Sequence, residues 1–160
     1  RSDWERTPDG ALVVVTNQTD DNASIIDVAT NTVTATVPTG PSPLRVAITP
    51  DGSRAYVTDF VAETLTVIDI ASLTVATTIT VGSGPVDIAI SAEGTRAYVT
   101  NFHDDTVPVL ELGSHTVLAT LDVGDSPIGI AIAPDGGLAF VSNGGSNNLS
   151  VIELATNTVR

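Results

Sequence analysis

Hydrophobic residues in this chain occur in short runs, each bounded by Gly, Pro, Asp, Asn or Ser. Residues 41–82 show the pattern best, and they predict four strands at Leu44–Thr49, Arg54–Thr58, Thr64–Asp69 and Thr74–Val81. Runs of this length that are rich in Val, Ile and Thr are typical of β-strands. The turns between them are tight, so these residues leave no room for a helix.

Apolar residues also stand side by side within the third predicted strand, as in Val67-Ile68 and Val109-Leu110. Adjacent residues of a strand point to opposite faces of its sheet. Both faces must therefore be buried, as in a sheet packed between two neighbouring sheets.

The whole pattern repeats every 42 residues without a gap. Its clearest marker is a turn, at Pro8-Asp9-Gly10, Pro50-Asp51-Gly52, Ala92-Glu93-Gly94 and Pro134-Asp135-Gly136. Proline presets φ at the first turn position, and glycine readily takes the left-handed conformation that closes a hairpin. We therefore expect positive φ at Gly52 and Gly136, in hairpins between first and second strands.

A period of 40–50 residues built from short apolar runs predicts an all-β fold, the β-propeller, with one four-stranded antiparallel blade per repeat. The chain is then a single propeller segment, 1–160, with blades at 1–40, 41–82, 83–124 and 125–160. The first strand departs from the repeat, reading Trp4-Glu5-Arg6, and the last repeat stops inside its fourth strand.

An unclosed array of blades would expose an apolar face and an unpaired edge. We expect the chain, which has no methionine and starts at Arg1, to be a piece of a longer product and part of a larger ring or assembly. Missing chain is the favoured source of closure. A second copy, self-associating through open blade edges, and a tight four-blade ring are the alternatives.

The strings Ala97-Tyr98-Val99-Thr100-Asn101 and Ala55-Tyr56-Val57-Thr58-Asp59 resemble the YVTN family of propeller repeats. That resemblance implies a surface-layer or secreted protein, with an extracellular or cell-surface location, or alternatively a periplasmic one. It also implies an interaction role, although related propellers include lactone hydrolases and haem-binding proteins.

Charge narrows the range of partners. The formal net charge is −13, there is no lysine, and the six cationic residues are scattered arginines. Nucleic-acid binding requires clustered basic residues, so it is excluded. No apolar run approaches the ~20 residues that span a bilayer, so membrane insertion is not expected. Proteins, especially basic ones, and neutral glycans at the cell surface are the compatible partners.

The loops between second and third strands vary most among the repeats, and in propellers they share one face with the crossings between blades. We expect an acidic interaction rim there, formed by Asp20, Asp21, Asp104, Asp105, Asp122 and Asp125. A calcium cage needs six to eight converging oxygens, so only weak calcium binding and no dedicated cofactor is expected. The alternative interpretation is that these are solvated hairpin tips.

First strands line the central channel of a propeller. At one equivalent position the repeats carry Asp3, Arg45, Asp87 and Gly129. The three charged residues could bind a small polar ligand at the channel mouth, or they could neutralise one another. By contrast, the acids that end each third strand are expected to accept hydrogen bonds from turn amides. These acids are Asp27, Asp69, Glu111 and Glu153.

Two functions remain open. The first is a non-enzymatic structural or interaction module that binds through its acidic loop face. The second is part of a propeller hydrolase, lactonase-like, or of a cofactor-binding protein whose site is completed by missing blades. Enzymes usually build pockets from long loops, and these repeats have almost no loop insertions, so we predict a protein that is not an enzyme.

Overall fold

The computed structural model describes residues 3–160, which form sixteen strands in four antiparallel sheets. Each sheet contains four consecutive strands paired in sequence order, which makes it one blade. Blade 1 contains β1 Trp4–Arg6, β2 Leu12–Asn17, β3 Asn22–Asp27 and β4 Thr32–Pro38. Blade 2 contains β5 Pro43–Ile48, β6 Arg54–Asp59, β7 Thr64–Asp69 and β8 Thr74–Thr80. Blade 3 contains β9 Pro85–Ile90, β10 Arg96–Asn101, β11 Thr106–Glu111 and β12 Thr116–Asp122. Blade 4 contains β13 Pro127–Ile132, β14 Leu138–Asn143, β15 Asn148–Glu153 and β16 Thr158–Val159.

These sheets confirm the predicted all-β propeller fold. The predicted strands of residues 41–82 differ from the observed ones by at most one residue at either end. Among the described residues there is no helix long and apolar enough to cross a membrane.

The hairpins between first and second strands close as expected. Gly52 has φ 72° and Gly136 has φ 70°. In the second repeat, the Asp51 carboxylate accepts hydrogen bonds from the Thr49 hydroxyl at 2.6 Å and the Ser53 amide at 3.0 Å. These bonds to the charged form lower the pKa of Asp51 to about 2. Hydrogen bonds between residues close in sequence therefore stabilise this turn.

The first strand forms although its residues depart from the repeat. Trp4, Glu5 and Arg6 pair with Val15, Val14 and Val13 of β2. Tertiary pairing overrides the weak strand propensity of the charged residues here, because β2 offers an unpaired ladder.

Pro108 interrupts the pairing between β10 and β11. In blade 2 the corresponding strands pair Val57 with Thr66 and Thr58 with Leu65. In blade 3 the register stops at Tyr98↔Val109 and resumes only at Asn101↔Thr106. Proline has no backbone N–H to donate, which accounts for the gap in this pairing.

The chain divides into two compact units, residues 1–80 and 81–160. In unit 1, blades 1 and 2 share an apolar core that includes Val14, Ile25, Val57 and Ile68. In unit 2, blades 3 and 4 share a second core built from the corresponding positions of the repeat. Each unit is thus a pair of packed blades.

Candidate functional site

The loops between second and third strands lie beside the crossings between blades, and we call this end of each unit the loop end. In unit 1, the Asp21 carboxylate accepts a hydrogen bond from the Ser42 amide of the crossing at 2.8 Å. Asp21 itself has φ 52°, a left-handed conformation that aspartate tolerates better than most residues. The sequence thus places a carboxylate where the crossing needs an acceptor.

Unit 2 repeats this arrangement with more charge. Asp105 accepts a hydrogen bond from the Ser126 amide at 2.7 Å, and Asp104 accepts one from the Ser83 amide at 2.6 Å. The Asp125 amide donates to the Ser146 hydroxyl at 2.6 Å. The loops and crossings of unit 2 therefore hold one another at the same end of the unit.

The remaining members of the predicted rim also lie at the loop ends. Asp20 is exposed in the loop after β2, and Asp122 is exposed at the last position of β12, next to the crossing. The loop end of unit 1 thus carries two rim aspartates, and the loop end of unit 2 carries four. No group of three or more acidic, His or Cys side chains among residues 3–160 has the geometry of a metal site.

A polar residue ends the second strand of every blade, next to these loops, and in blades 2, 3 and 4 it is buried. Asn101 Nδ2 donates to the Val81 carbonyl at 2.9 Å, which joins the strand to the crossing. Asn143 Nδ2 donates to Asn148 and Ser150, at 2.8 and 2.9 Å. These side chains anchor the loop end on its own blade. In the sequence the repeated Asn or Asp is visible only as part of a motif, and its anchoring role was not predicted.

Blade 2 has a carboxylate at this position. Asp59 is fully buried, and its Oδ2 accepts hydrogen bonds from Thr66 at 2.7 Å and Thr64 at 3.0 Å. Its Oδ1 has no hydrogen-bond partner among the described residues. Burial raises the pKa of Asp59, and the hydrogen bonds from Thr66 and Thr64 oppose that rise.

The predicted channel-mouth residues make contacts within each unit. Asp3 forms an ion pair with Arg45 at 3.0 Å, and its other oxygen accepts a hydrogen bond from the Val46 amide at 3.3 Å. In unit 2, Asp87 accepts hydrogen bonds from the amides of Ile130 and Ile88, both at 3.0 Å. These carboxylates link neighbouring first strands, and a ligand role for Asp3, Arg45 and Asp87 stays a prediction.

The acids that end the third strands lie at the opposite end of the blades, as turn acceptors. Asp27 accepts a hydrogen bond from the Thr30 amide at 2.8 Å, and Asp69 accepts one from the Ser72 amide at 2.9 Å. These amide bonds are the first cause of the lowered pKa of each aspartate. Glu111 accepts a bond from the Ser114 hydroxyl at 2.6 Å. The predicted role as acceptors of turn amides is thus confirmed for Asp27 and Asp69, whereas Glu111 and Glu153 accept hydrogen bonds from turn hydroxyls.

A cavity of about 330 Å³ lies at the same end of unit 2, between blades 3 and 4. Arg96, Glu93, Tyr98 and Ser91 line it with Gly136 and Gly137. Arg96 Nη1 donates to the Leu154 carbonyl at 3.4 Å across the cavity wall. Its lining mixes opposite charges with hydroxyl groups, which suits a small polar molecule. This cavity could not be predicted from the repeat pattern, because its wall joins residues from two different repeats.

Comparisons with known proteins agree on the fold. A family model of YNCE-like β-propellers matches residues 6–81. No curated protein matches the chain. Among solved structures, Kuenenia stuttgartiensis hydrazine synthase is similar at 29% identity and a TM-score of 0.91, over 98% of this chain and 47% of that chain.

Two other solved structures are similar at the level of the fold. A functionally unknown protein from Desulfotomaculum acetoxidans DSM 771 gives a TM-score of 0.85 at 20% identity, over 99% of this chain and 54% of that one. A candidate 6-phosphogluconolactonase from Bacteroides uniformis ATCC 8492 gives 0.85 at 18% identity, over 99% of this chain and 52% of that one. The chain spans about half the length of these structures. It is therefore a β-propeller repeat protein, and the YNCE-like model covers its first two blades.

Proposed function

We propose that this protein is a non-enzymatic structural or interaction module, extracellular or at the cell surface, whose loop end binds basic partners. The observation that supports this proposal is the group of four aspartates at the loop end of unit 2, in a chain of net charge −13 without lysine. Such a surface attracts cations and basic proteins over a distance that depends on ionic strength.

Part of this charge is held in place by the backbone. Asp104 and Asp105 are fixed by the amides of Ser83 and Ser126, so their carboxylates do not need to be ordered when a partner binds. Preorganised groups lose less conformational entropy on binding, which favours recognition. Each exposed ion pair contributes little by itself, so several must act together.

A charge-matched pair of variants tests the loop end. In the first, Asp104, Asp105, Asp122 and Asp125 become Asn, which keeps an acceptor oxygen at each position. In the second, Asp27 and Asp69 become Asn and Glu111 and Glu153 become Gln, which removes the same charge from the turns at the opposite end. An oligo-arginine peptide, titrated by calorimetry at rising salt, should bind the second variant and the unchanged protein but not the first. Equal loss in both variants would contradict a specific surface.

Calcium provides a separate test. We expect weak binding at the loop end that disappears as salt rises, because no described group of side chains forms a coordination cage. Calorimetry with calcium alone measures this. Micromolar affinity that survives high salt would contradict the proposal and point to a built metal site.

The second candidate is part of a propeller enzyme or of a cofactor-binding protein. The 29% identity with a chain of hydrazine synthase favours it, because that protein is named for an activity. Incubation of the protein with lactones, followed by pH-stat or chromatography, distinguishes the two. Catalytic turnover would favour the enzyme, whereas peptide binding without turnover favours the interaction module.

A further inference from the structure

The cavity between blades 3 and 4 lies where the sequence of the repeat changes. In unit 1, a Cβ atom on Gly52 would lie 3.3 Å from the ring of Pro8, so the first hairpins of blades 1 and 2 approach each other closely. Unit 2 has Ala92 at the position of Pro8, and a Cβ atom on Gly136 would meet no atom within 4 Å. The proline contact is thus missing in unit 2, and the cavity of about 330 Å³ lies between the same pair of hairpins.

A charged side chain lines this cavity at a position that is apolar in unit 1. Leu12 packs against the core of blades 1 and 2, whereas the equivalent Arg96 lines the cavity. Arg96 stands opposite Glu111 in the register of β10 and β11, but no ion pair joins them among residues 3–160. Its guanidinium donates instead to the Leu154 carbonyl, at 3.4 Å. A guanidinium carries several N–H donors, so most of those on Arg96 are available to a ligand.

The first hairpin of blade 3 also lacks a hydrogen-bonded carboxylate that the other three blades have. In each of those blades, an aspartate accepts a hydrogen bond at 3.0 Å from the backbone amide two residues further along the chain. These aspartates are Asp9, Asp51 and Asp135. Blade 3 has Glu93 instead, and its longer side chain makes no such bond within the described chain. The hairpin itself is kept, because the Gly94 amide still donates to the Ser91 carbonyl at 2.8 Å.

Two donors beside the cavity are left without that acceptor. The Thr95 amide stands at the position of the amides that bond to aspartate in the other blades, and it has no partner in the part of the chain that the structure describes. The Ser91 hydroxyl accepts a bond from the Arg96 amide at 3.2 Å, but its own proton has no acceptor among the described residues. The equivalent Thr49 hydroxyl donates to Asp51 at 2.6 Å. Because Ser91 is only 8% exposed, an acceptor from a ligand would satisfy a buried donor.

We propose that this cavity binds a small zwitterion, an amino acid with an apolar side chain. The ligand carboxylate takes the place of the missing aspartate and accepts hydrogen bonds from the Ser91 hydroxyl, the Thr95 amide and the Arg96 guanidinium. The ligand ammonium group donates to the carboxylate of Glu93, which lines the cavity and forms no ion pair among the described residues. Both charges of the ligand are thereby matched.

Size and charge favour this class of ligand. Small-molecule sites begin at about 300 Å³, so this cavity suits a compact molecule. The net charge of −13 repels a simple anion, whereas a zwitterion carries no net charge. Leu154, Ala155, Gly136 and Gly137 complete the lining and suit an apolar side chain. The cavity lies at the end opposite the acidic rim, so its test is independent of the one for basic partners.

Titration of isotope-labelled protein, observed by NMR through its backbone amides, tests the proposal. L-valine is the probe, isovalerate has the same skeleton without the amino group, and valinamide lacks the carboxylate. L-valine should shift the Thr95 amide resonance in a saturable way, and each analogue should bind about tenfold more weakly or worse, because it loses one charged contact. No saturable shift with L-valine up to its solubility limit would overturn the proposal. Equal affinity for isovalerate would overturn the assignment of a zwitterion.

Two variants restore what the other blades have at these positions. Arg96→Leu introduces the residue of blade 1, and Glu93→Asp introduces the aspartate of the other three hairpins. Both should weaken L-valine binding about tenfold or more. Glu93→Asp does so although the charge is kept, because the shorter carboxylate bonds to the two vacant donors itself. Arg54→Leu, at the equivalent position of blade 2, is the matched control and should bind normally.

The amide spectrum of each variant establishes that it is folded. If Glu93→Asp binds L-valine as well as the unchanged protein does, the ligand does not occupy the place of the missing aspartate. If Arg54→Leu loses as much affinity as Arg96→Leu, the cavity of unit 2 is not the binding site.

Discussion

The Asp87 carboxylate accepts a hydrogen bond from the backbone amide of Ile130 at 3.0 Å, across 43 residues of chain. Asp87 lies on β9 and Ile130 on β13, the first strands of two different sheets. Asp3 makes the same contact with Val46 in unit 1, at 3.3 Å. Ile130 and Val46 lie on first strands, at the edge of their sheets, where a backbone amide needs a hydrogen-bond acceptor from outside the sheet. The two carboxylates supply that acceptor and so join neighbouring blades.

Replacing Asp87 should therefore weaken unit 2. Asp87→Ala leaves the Ile130 amide without this acceptor and should lower the free energy of unfolding by about 1–3 kcal/mol. Asp87→Asn keeps an acceptor oxygen and should cost less. Urea unfolding measures both, with Asp122→Ala as an exposed control expected to change stability by less than about 0.5 kcal/mol. Equal effects of Asp87→Ala and Asp122→Ala would exclude the proposed link.

Gly136, in the hairpin between the first and second strands of blade 4, is required for its backbone conformation. Gly136 has φ 70°, and a Cβ there would meet no atom within 4 Å. Gly136→Ala should therefore destabilise by about 1 kcal/mol through backbone strain alone. Gly113→Ala is the control, because the site is equally open and its φ lies outside the left-handed region. Thermal or urea unfolding in which both variants match the unchanged protein would contradict this reading.

The buried Asp59 should make stability depend on pH. Desolvation raises its pKa in the folded state, so the folded protein holds this proton more tightly than the unfolded chain. The stabilisation by this proton is complete below the pKa that Asp59 has in the unfolded chain. It is lost as pH rises through the pKa that Asp59 has in the folded protein. Asp59→Asn should remove this loss and stabilise the protein at neutral pH.

Asparagine is a matched replacement, because Asn101 and Asn143 occupy the same position in blades 3 and 4. Urea unfolding at several pH values compares the two proteins, and all other titrating groups are common to both. If the difference in unfolding free energy stays constant across pH, Asp59 does not carry the proton as described.

Pro108 should be a site where stability can be gained. It lacks the N–H that Thr66 provides at the equivalent position of blade 2, and the β10–β11 pairing is interrupted there. Pro108→Ser restores that donor and adds a hydroxyl within the reach that Ser150 has to Asn143. We expect a gain of about 0.5–1.5 kcal/mol, reduced by the greater freedom of the unfolded chain. If thermal unfolding shows the Pro108→Ser variant to be less stable than the unchanged protein, the prediction is wrong and the proline stabilises the fold.

Much of the fold could be predicted because its information is local. The turn around Asp51 and Gly52 depends on residues within a few positions of each other, and the strand pattern depends on neighbouring side chains. The loop positions of Asp21 and Asp105 followed from propeller topology, but their bonds to Ser42 and Ser126 did not. Those bonds depend on how far each crossing approaches the preceding loop.

The sequence by itself determined the 42-residue repeat, the four blades, the hairpin turns and the excess of negative charge. Only the tertiary structure decided that Asp87 bonds to Ile130, that Asp59 is buried with its own Oδ1 unpartnered, and that Leu149 is exposed where Val107 is not. Equivalent residues of a repeat have equivalent local surroundings. Their burial and their partners differ because each blade packs against a particular neighbour, and that packing joins residues far apart in the chain.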